Sequence, residues 1–168
     1  MIEARAVVIA EDDVDTDVLY PGSFLNITDV QLMTAHLFEG LDPTLRDRLG
    51  GDTALVVGDN FGCGSSREHV PQAMKASGVR FLVGRGFARI FYRNCVNLGL
   101  PAVVCSAAVD LAVSDSRVSL DLEAGVIRVD GSEHPIKPVP DFMREIFSAG
   151  GLEPWMRSRY TANELNPG

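Results

Sequence analysis

"ALVVGDNFGCGSSREHVPQAMKASGVRFLVG", residues 54–84, contains a strand, a bend, a helix and a second strand in succession. The apolar run "ALVVG", 54–58, reads as a short buried strand feeding a glycine-rich bend. A helix is predicted from about Arg67 to Ser77, with Gly78 as its stop. "RFLVG", 80–84, is the next buried strand. Downstream the pattern repeats: residues 86–98 carry Phe87, Ile90, Phe91, Cys95 and Leu98 on one helical stripe, and "PAVVC", 101–105, is a further strand. Upstream, "ARAVVIA", 4–10, is a buried strand ending in the acidic turn "EDDVDTD". A helix is predicted over Asp29–Phe38, opened by Thr28, and another from Asp42-Pro43. Residues 117–137 alternate around "EAG" and predict an exposed antiparallel hairpin. The segment from Pro140 to about Tyr160 reads as helix broken at Gly150-Gly151, and 161–168 as a loose tail. The order implies an α/β fold with a parallel β-α-β core and an appended β-hairpin, in a single domain over 1–168.

With 168 residues the chain can bury one proper core. Hydrophobic residues are 46% and charged residues 23%, ordinary for a soluble globular protein. The net charge of −8 argues against a nucleic-acid partner, which wants a basic face. No apolar run approaches the roughly 20 residues that span a bilayer. The start "MIEARAVVIAEDDVDTD" has neither the basic opening nor the cleavage site of a signal peptide, so a cytoplasmic location is expected. Cys63, Cys95 and Cys105 match no zinc or iron–sulfur spacing, and His36, His69 and His134 lie far apart. The expectation is that this chain supplies no metal site of its own.

Two readings of the bend coexist. Ser65-Ser66-Arg67-Glu68 fits a capping box, with Ser65 and Glu68 closing the first helical turn. The same residues also suit an anion. Gly62 and Gly64 let the backbone approach a ligand, a helix starting at Ser65 or Ser66 would aim free N–H groups at it, and Arg67 offers a planar fork. No lysine lies between Asp59 and Gln72, as a Walker loop would need, and Arg67 stands where a dinucleotide fingerprint needs its third glycine. A small carboxylate fits the arginine better.

Three motifs in order, "DDVDTDVLYPGSFL", "GDNFGCGSSREHVPQAM" and "GFARIFYRNCVNLGLP", resemble the small subunits of 3-isopropylmalate dehydratase, which correspond to the swivel domain of aconitase. The likeness runs from about residue 7 to 105 and more loosely through "PDFMREIFSAGGLEPWMRSR". It implies a swivelling β/β/α domain. It also implies a hydro-lyase that removes and re-adds water on a hydroxy acid, active only with a large subunit that carries a [4Fe-4S] cluster. Heterodimer and heterotetramer are both compatible with it.

By this resemblance Ser65 is the base whose alkoxide takes the carbon-bound proton, and Ser66 and Arg67 hold a substrate carboxylate. Asp17 matches an active-site aspartate; an ordinary turn or helix-start role competes with that. Cys63 sits where aconitases carry glutamate and is read as a small residue in a tight bend. Arg89 and Arg93 lie opposite the apolar stripe, where a solvated face or a subunit contact is expected over catalysis. His69 is expected to bond within the fold.

The loop that reads the substrate's third arm in this family corresponds to Ser23–Thr28, with Asn26, Ile27 and Thr28 as candidate contacts. Relatives acting on citrate or homocitrate resemble one another in placing an arginine there. Here Arg5 is the only arginine or lysine before Arg46. A buried carboxylate without a partner costs several kcal/mol, so an apolar arm is favoured. The implied substrate is 2-isopropylmalate, interconverted with 3-isopropylmalate in leucine biosynthesis. A homoaconitase-like or methyl-substituted-malate dehydratase is the alternative enzyme, and a carboxylate-binding module without catalysis is the alternative class.

Overall fold

A computed structural model describes residues 1–165. Its elements follow in the order β1 (Ile2–Ile9), α1 (Thr16–Leu19), α2 (Val30–Met33), β2 (Thr53–Val57), α3 (His69–Ala76), β3 (Val79–Gly84), α4 (Arg89–Asn97), β4 (Ala102–Val104), α5 (Ser106–Leu111), β5 (Arg117–Asp121), β6 (Val126–Val129), β7 (Ser132–Pro135), α6 (Asp141–Ala149) and α7 (Leu152–Leu165). Short 3-10 turns occupy Gly22–Phe24, Thr34–His36 and Pro43–Arg48. The last helix continues to Leu165, so much of the stretch expected to be a loose tail is helical. Residues 166–168 of that stretch lie outside the described residues. No helix among the described residues is long and apolar enough to cross a membrane.

One seven-stranded sheet, in the order β4-β3-β2-β1-β5-β6-β7, organises the fold. The strands β1 to β4 are parallel, as the strand–helix alternation predicts, while β5 pairs antiparallel with β1, β6 with β5 and β7 with β6. Alternation along the strands feeds two cores. Val7, Ile9, Leu55, Val57 and Leu82 point to the face covered by α2, α3 and α4. Ala6, Ala54, Val56, Phe81 and Val83 point the other way, where Val118, Leu120, Ile127 and Val129 meet them. The sheet curls over this second core, and α5 packs on both β3 and β6. The expected exposed hairpin is therefore three strands, of which β5 and β6 bury one face while β7 stays largely exposed. Its alternation was visible; the partner for its apolar face comes from the curl and from α5, which carries no strong helical pattern.

The helix predicted over Asp29–Phe38 is broken into α2 and the Thr34–His36 turn, and Asp29 rather than Thr28 caps it, accepting from the Gln31 N–H. Met33 and Leu37 are buried, whereas Val30 is exposed. Asp42 caps the following turn with Pro43 at its first position, as read.

Candidate active site

The site lies at the carboxyl ends of β1, β2 and β3, where parallel strands leave their loops free to meet. Backbone bonds tie the three loops together. The Gly62 N–H donates to the Val14 carbonyl at 2.8 Å and the Thr16 N–H to the Cys63 carbonyl at 2.9 Å. On the other side Phe61 donates to the Gly86 carbonyl, and Ala88 to the Phe61 carbonyl. Gly62 and Gly64 have φ of +81° and +88°, and a Cβ there would run into the Phe91 ring and the Asp15 carboxylate respectively. Glycine is required at both. The turn is closed by Thr16, whose Oγ1 donates to the Ser65 carbonyl at 2.8 Å. Ser65 is thus fixed through its backbone, and its hydroxyl is left exposed and unbonded among the described residues.

This bend forms one wall of a 220 Å³ cavity. Ser65, Ser66 and Arg67 line that wall; Arg89, Ile90, Phe91 and Asn94 of α4 line the opposite one. Asn94 is buried, and its Nδ2 donates to Ser66 Oγ across the cavity at 3.4 Å. Arg67 is largely buried and reaches toward α1: its Nη1 donates to Asp17 Oδ1 at 2.6 Å and to the Tyr20 carbonyl at 2.9 Å. Asp17 Oδ1 also accepts from the Gly22 N–H at 3.1 Å. The Arg67 hydrogen bond, the Gly22 amide and the Arg67 charge together hold the Asp17 carboxyl below its ordinary range. Asp17 and Arg67 therefore form a charge-compensated pair beside the cavity.

The capping box does not form. Glu68 itself occupies the N-cap position of α3, with helical backbone angles and no side-chain cap bond, and the helix proper begins at His69. Pro71 explains the shift. A helix starting at Ser66 would place Pro71 in its interior, where proline lacks the N–H owed to the carbonyl of residue 67 and its ring clashes with that carbonyl. Starting at His69 puts Pro71 in the first turn, where free N–H groups are the rule. The helix end that meets the cavity is instead that of α4, through Ala88, Arg89 and Ile90. That helix starts later than the predicted 86, because residues 86–88 spend their backbone groups pairing with Phe61.

The structure gathers Ser65, Ser66 and Arg67 in one cavity and joins Asp17 to them through Arg67. Asn26, Ile27 and Thr28 do not line that cavity. Ile27 is partly buried, packing against the core, while Asn26 and Thr28 are exposed. The loop is anchored from several sides. Tyr20 Oη donates to the Phe24 carbonyl at 2.8 Å, Phe24 stacks on His36, and His69 Nε2 lies 3.2 Å from the Ile27 carbonyl. A carbonyl only accepts, so His69 Nε2 carries the proton, and its role is bonding within the fold. Sequence reasoning missed Arg89, Ile90 and Asn94 as cavity residues. The Gly-Phe-Ala-Arg-Ile motif marked the segment, but helical periodicity assigned Ile90 to the core, whereas it is 48% exposed.

The three thiols do not suit an iron–sulfur cluster. Cys95 is buried under the helices, Cys105 is buried on the opposite face of the sheet, and Cys63 is half-buried in the bend. Burial raises the Cys95 thiol far above its usual range, and burial with the Asp15 and Asp13 charges raises Cys63. No group of three or more His, Cys, Asp or Glu side chains among the described residues is placed to hold a metal.

Comparison with known proteins agrees with this architecture. Residues 41–107 match the Aconitase C-terminal domain family. The chain is 46% identical over 154 residues to 3-isopropylmalate dehydratase small subunit 1 of Methanopyrus kandleri, covering 90% of each chain. It is 44% identical to the 3-isopropylmalate dehydratase small subunit of Caldanaerobacter subterraneus, covering 88% of this chain and 93% of that one. The crystal structure of a 3-isopropylmalate dehydratase from Methanocaldococcus jannaschii superposes with a TM-score of 0.89 at 33% identity, covering 97% of both chains.

Proposed function

The chain belongs to the family of 3-isopropylmalate dehydratase small subunits, and from that premise we propose that it supplies the base and a carboxylate site of a hydro-lyase that interconverts 2-isopropylmalate and 3-isopropylmalate, a step of leucine biosynthesis in the cytoplasm. The observation that carries the reading is the convergence of Ser65, Ser66 and Arg67 on a cavity whose facing wall includes Ile90 and Phe91. One wall suits a carboxylate and the other an aliphatic arm.

In the dehydration step the Ser65 alkoxide takes the proton from the substrate carbon, and the electrons of that C–H bond form the new C=C bond as the C–O bond on the neighbouring carbon breaks. The departing hydroxyl takes a proton from solvent to become water, and Ser65 keeps the proton it abstracted. Rehydration reverses these transfers with water entering at the other carbon. A proton next to a carboxylate is very weakly acidic, so its removal needs a strong base and fixed positive charge. Ser65 has its backbone fixed by Thr16 and its hydroxyl free, which suits that task. Ser66, oriented by Asn94, and the Arg67 donors not bound to Asp17 hold a carboxylate. Asp17 acts on Arg67, fixing the fork against α1. The loop that carries Asn26, Ile27 and Thr28 meets the third arm, and with no arginine or lysine between Arg5 and Arg46 an apolar arm is favoured.

The thiols of this chain offer no cluster site, so the [4Fe-4S] cluster and the departure of the hydroxyl are assigned to a separate large subunit, in a heterodimer or heterotetramer. The test is turnover of 2-isopropylmalate, citrate, homocitrate and citramalate by the chain combined with its cluster-bearing subunit. Preference for isopropylmalate is expected. A preference for citrate or homocitrate would overturn the substrate assignment, and stable assembly with no turnover of any would leave a carboxylate-binding module.

A further inference from the structure

Arg67 is not a free cation: Asp17 compensates it at 2.6 Å. Ser66 and Asn94 bring no charge. A dicarboxylate entering this cavity beside a serine alkoxide would therefore meet little net positive charge from these groups. Arg89 changes that balance. It lines the same 220 Å³ cavity from the first turn of α4, is exposed, and enters no ion pair among the described residues. Neither acidic side chain nor cap bond occupies that turn. Five residues on, Asn94 of the same helix bonds Ser66, so this part of α4 is held in register with the serine wall.

We propose that Arg89 is a second substrate-binding cation: its guanidinium holds the carboxylate that Arg67 does not, so that the dianion is gripped from both walls of the cavity. The inference rests on the dicarboxylate reading above. It assigns to a helix residue facing the serine bend a role that exposure alone would give to solvent. Arg93, one turn further along the same side of α4, is also exposed but does not line the cavity, and serves as the comparator.

The experiment uses the assembled complex. Turnover of 2-isopropylmalate by the unaltered complex first checks the dicarboxylate reading by itself. Calorimetry then measures binding of 2-isopropylsuccinate, a dicarboxylate without the hydroxyl to be lost, to complexes carrying Arg89→Gln, Arg89→Lys or Arg93→Gln. Loss of a charge-assisted contact weakens binding roughly 10- to 100-fold. Arg89→Gln is expected to show that loss, with KM rising in step and kcat falling less. Arg89→Lys is expected to recover part of it, and Arg93→Gln to stay within about 2-fold of the unaltered complex. Size-exclusion chromatography reports assembly. An unaltered complex that turns over isopropylmalate while Arg89→Gln leaves Kd and KM unchanged overturns the proposal, as does a variant whose defect is loss of the large subunit.

Discussion

Replacing Ser65 by alanine removes one oxygen from a bend that does not depend on it. The bend is held by the Thr16 hydroxyl on the Ser65 carbonyl and by the Gly62 and Thr16 amides, none of which involves Ser65 Oγ. Ser65 is exposed, so the cost in stability should stay within about 0.5 kcal/mol. The catalytic cost is far larger. A positioned base contributes roughly 10²- to 10⁴-fold, equivalent to about 2.7–5.4 kcal/mol in the barrier at ~1.36 kcal/mol per tenfold. The assay is single-turnover and steady-state dehydration of isopropylmalate by the reconstituted complex, with the melting temperature of the small subunit and the elution of the complex as controls. The expected result is kcat reduced by at least about 100-fold with melting and assembly unchanged. Ser66→Ala is the internal comparator. Among the described residues its Oγ bonds only Asn94, at a long 3.4 Å, so a smaller loss, mainly in KM, is expected. Near-normal turnover by Ser65→Ala would remove this hydroxyl from the mechanism and leave the cavity as a binding site alone.

Arg67→Lys should raise KM by roughly 10- to 100-fold, because an ammonium lacks the planar fork that binds Asp17 and the Tyr20 carbonyl through one nitrogen while leaving another for a substrate carboxylate; unchanged KM would show that the fork does not reach the substrate. Asp17 has a depressed pKa, so the stability it contributes is fully present above its unfolded value of about 3.9 and is lost as pH falls through the lower folded value. An NMR titration of the Asp17 carboxyl should find its midpoint below about 3.9, moving back toward it in Arg67→Gln, and an ordinary midpoint in the unaltered chain would contradict the pairing. Gly64→Ala should destabilise the fold by at least about 1 kcal/mol in denaturant melts, through positive φ and the Asp15 carboxylate together. Arginine at position 26 should shift the kcat/KM ratio toward citrate and homocitrate over isopropylmalate. No shift would detach this loop from substrate choice.

The parallel half of the fold was legible because each of its strands is an apolar run, and three of the four lead into a glycine or an acidic turn, as in "ALVVG" and "RFLVG". Local pattern is enough there, since strands buried on both faces need no partner to be recognised. The antiparallel half was legible only in part. Val118, Leu120, Ile127 and Val129 alternate clearly, yet their burial depends on the curl of the sheet and on α5, a six-residue helix with no strong pattern of its own. The boundaries of α3 and α4 were misjudged for two different reasons. Pro71 was a readable signal against an early start of α3, outweighed by the Ser65–Glu68 spacing. The pairing of residues 86–88 with Phe61 is long-range, and no local signal announces it.

The site divides along the same line, and its electrostatics follow from the division. Ser65, Ser66 and Arg67 are contiguous, so one motif delivers them, but contiguity cannot show that Asp17, fifty residues earlier, spends the Arg67 charge. Nor can it show that Arg89 meets the cavity at all. An arginine opposite an apolar stripe is solvated by default, and the default fails here because the stripe itself is offset: Ile90 turns its side chain partly to the cavity while Phe91 packs beneath Gly62. The positive charge available to an alkoxide at position 65 therefore depends on two chain-distant decisions, the pairing of Asp17 with Arg67 and the register of α4 against the bend. Raising the ionic strength tests that dependence without mutation. An exposed cation such as Arg89 is screened within a Debye length of about 8 Å at physiological salt, whereas the largely buried Arg67 is screened less. KM for the dianion should rise with salt in the unaltered complex, and that rise should be mostly lost in Arg89→Gln. An equal salt dependence in both would place the exposed charge that attracts the substrate elsewhere in the complex.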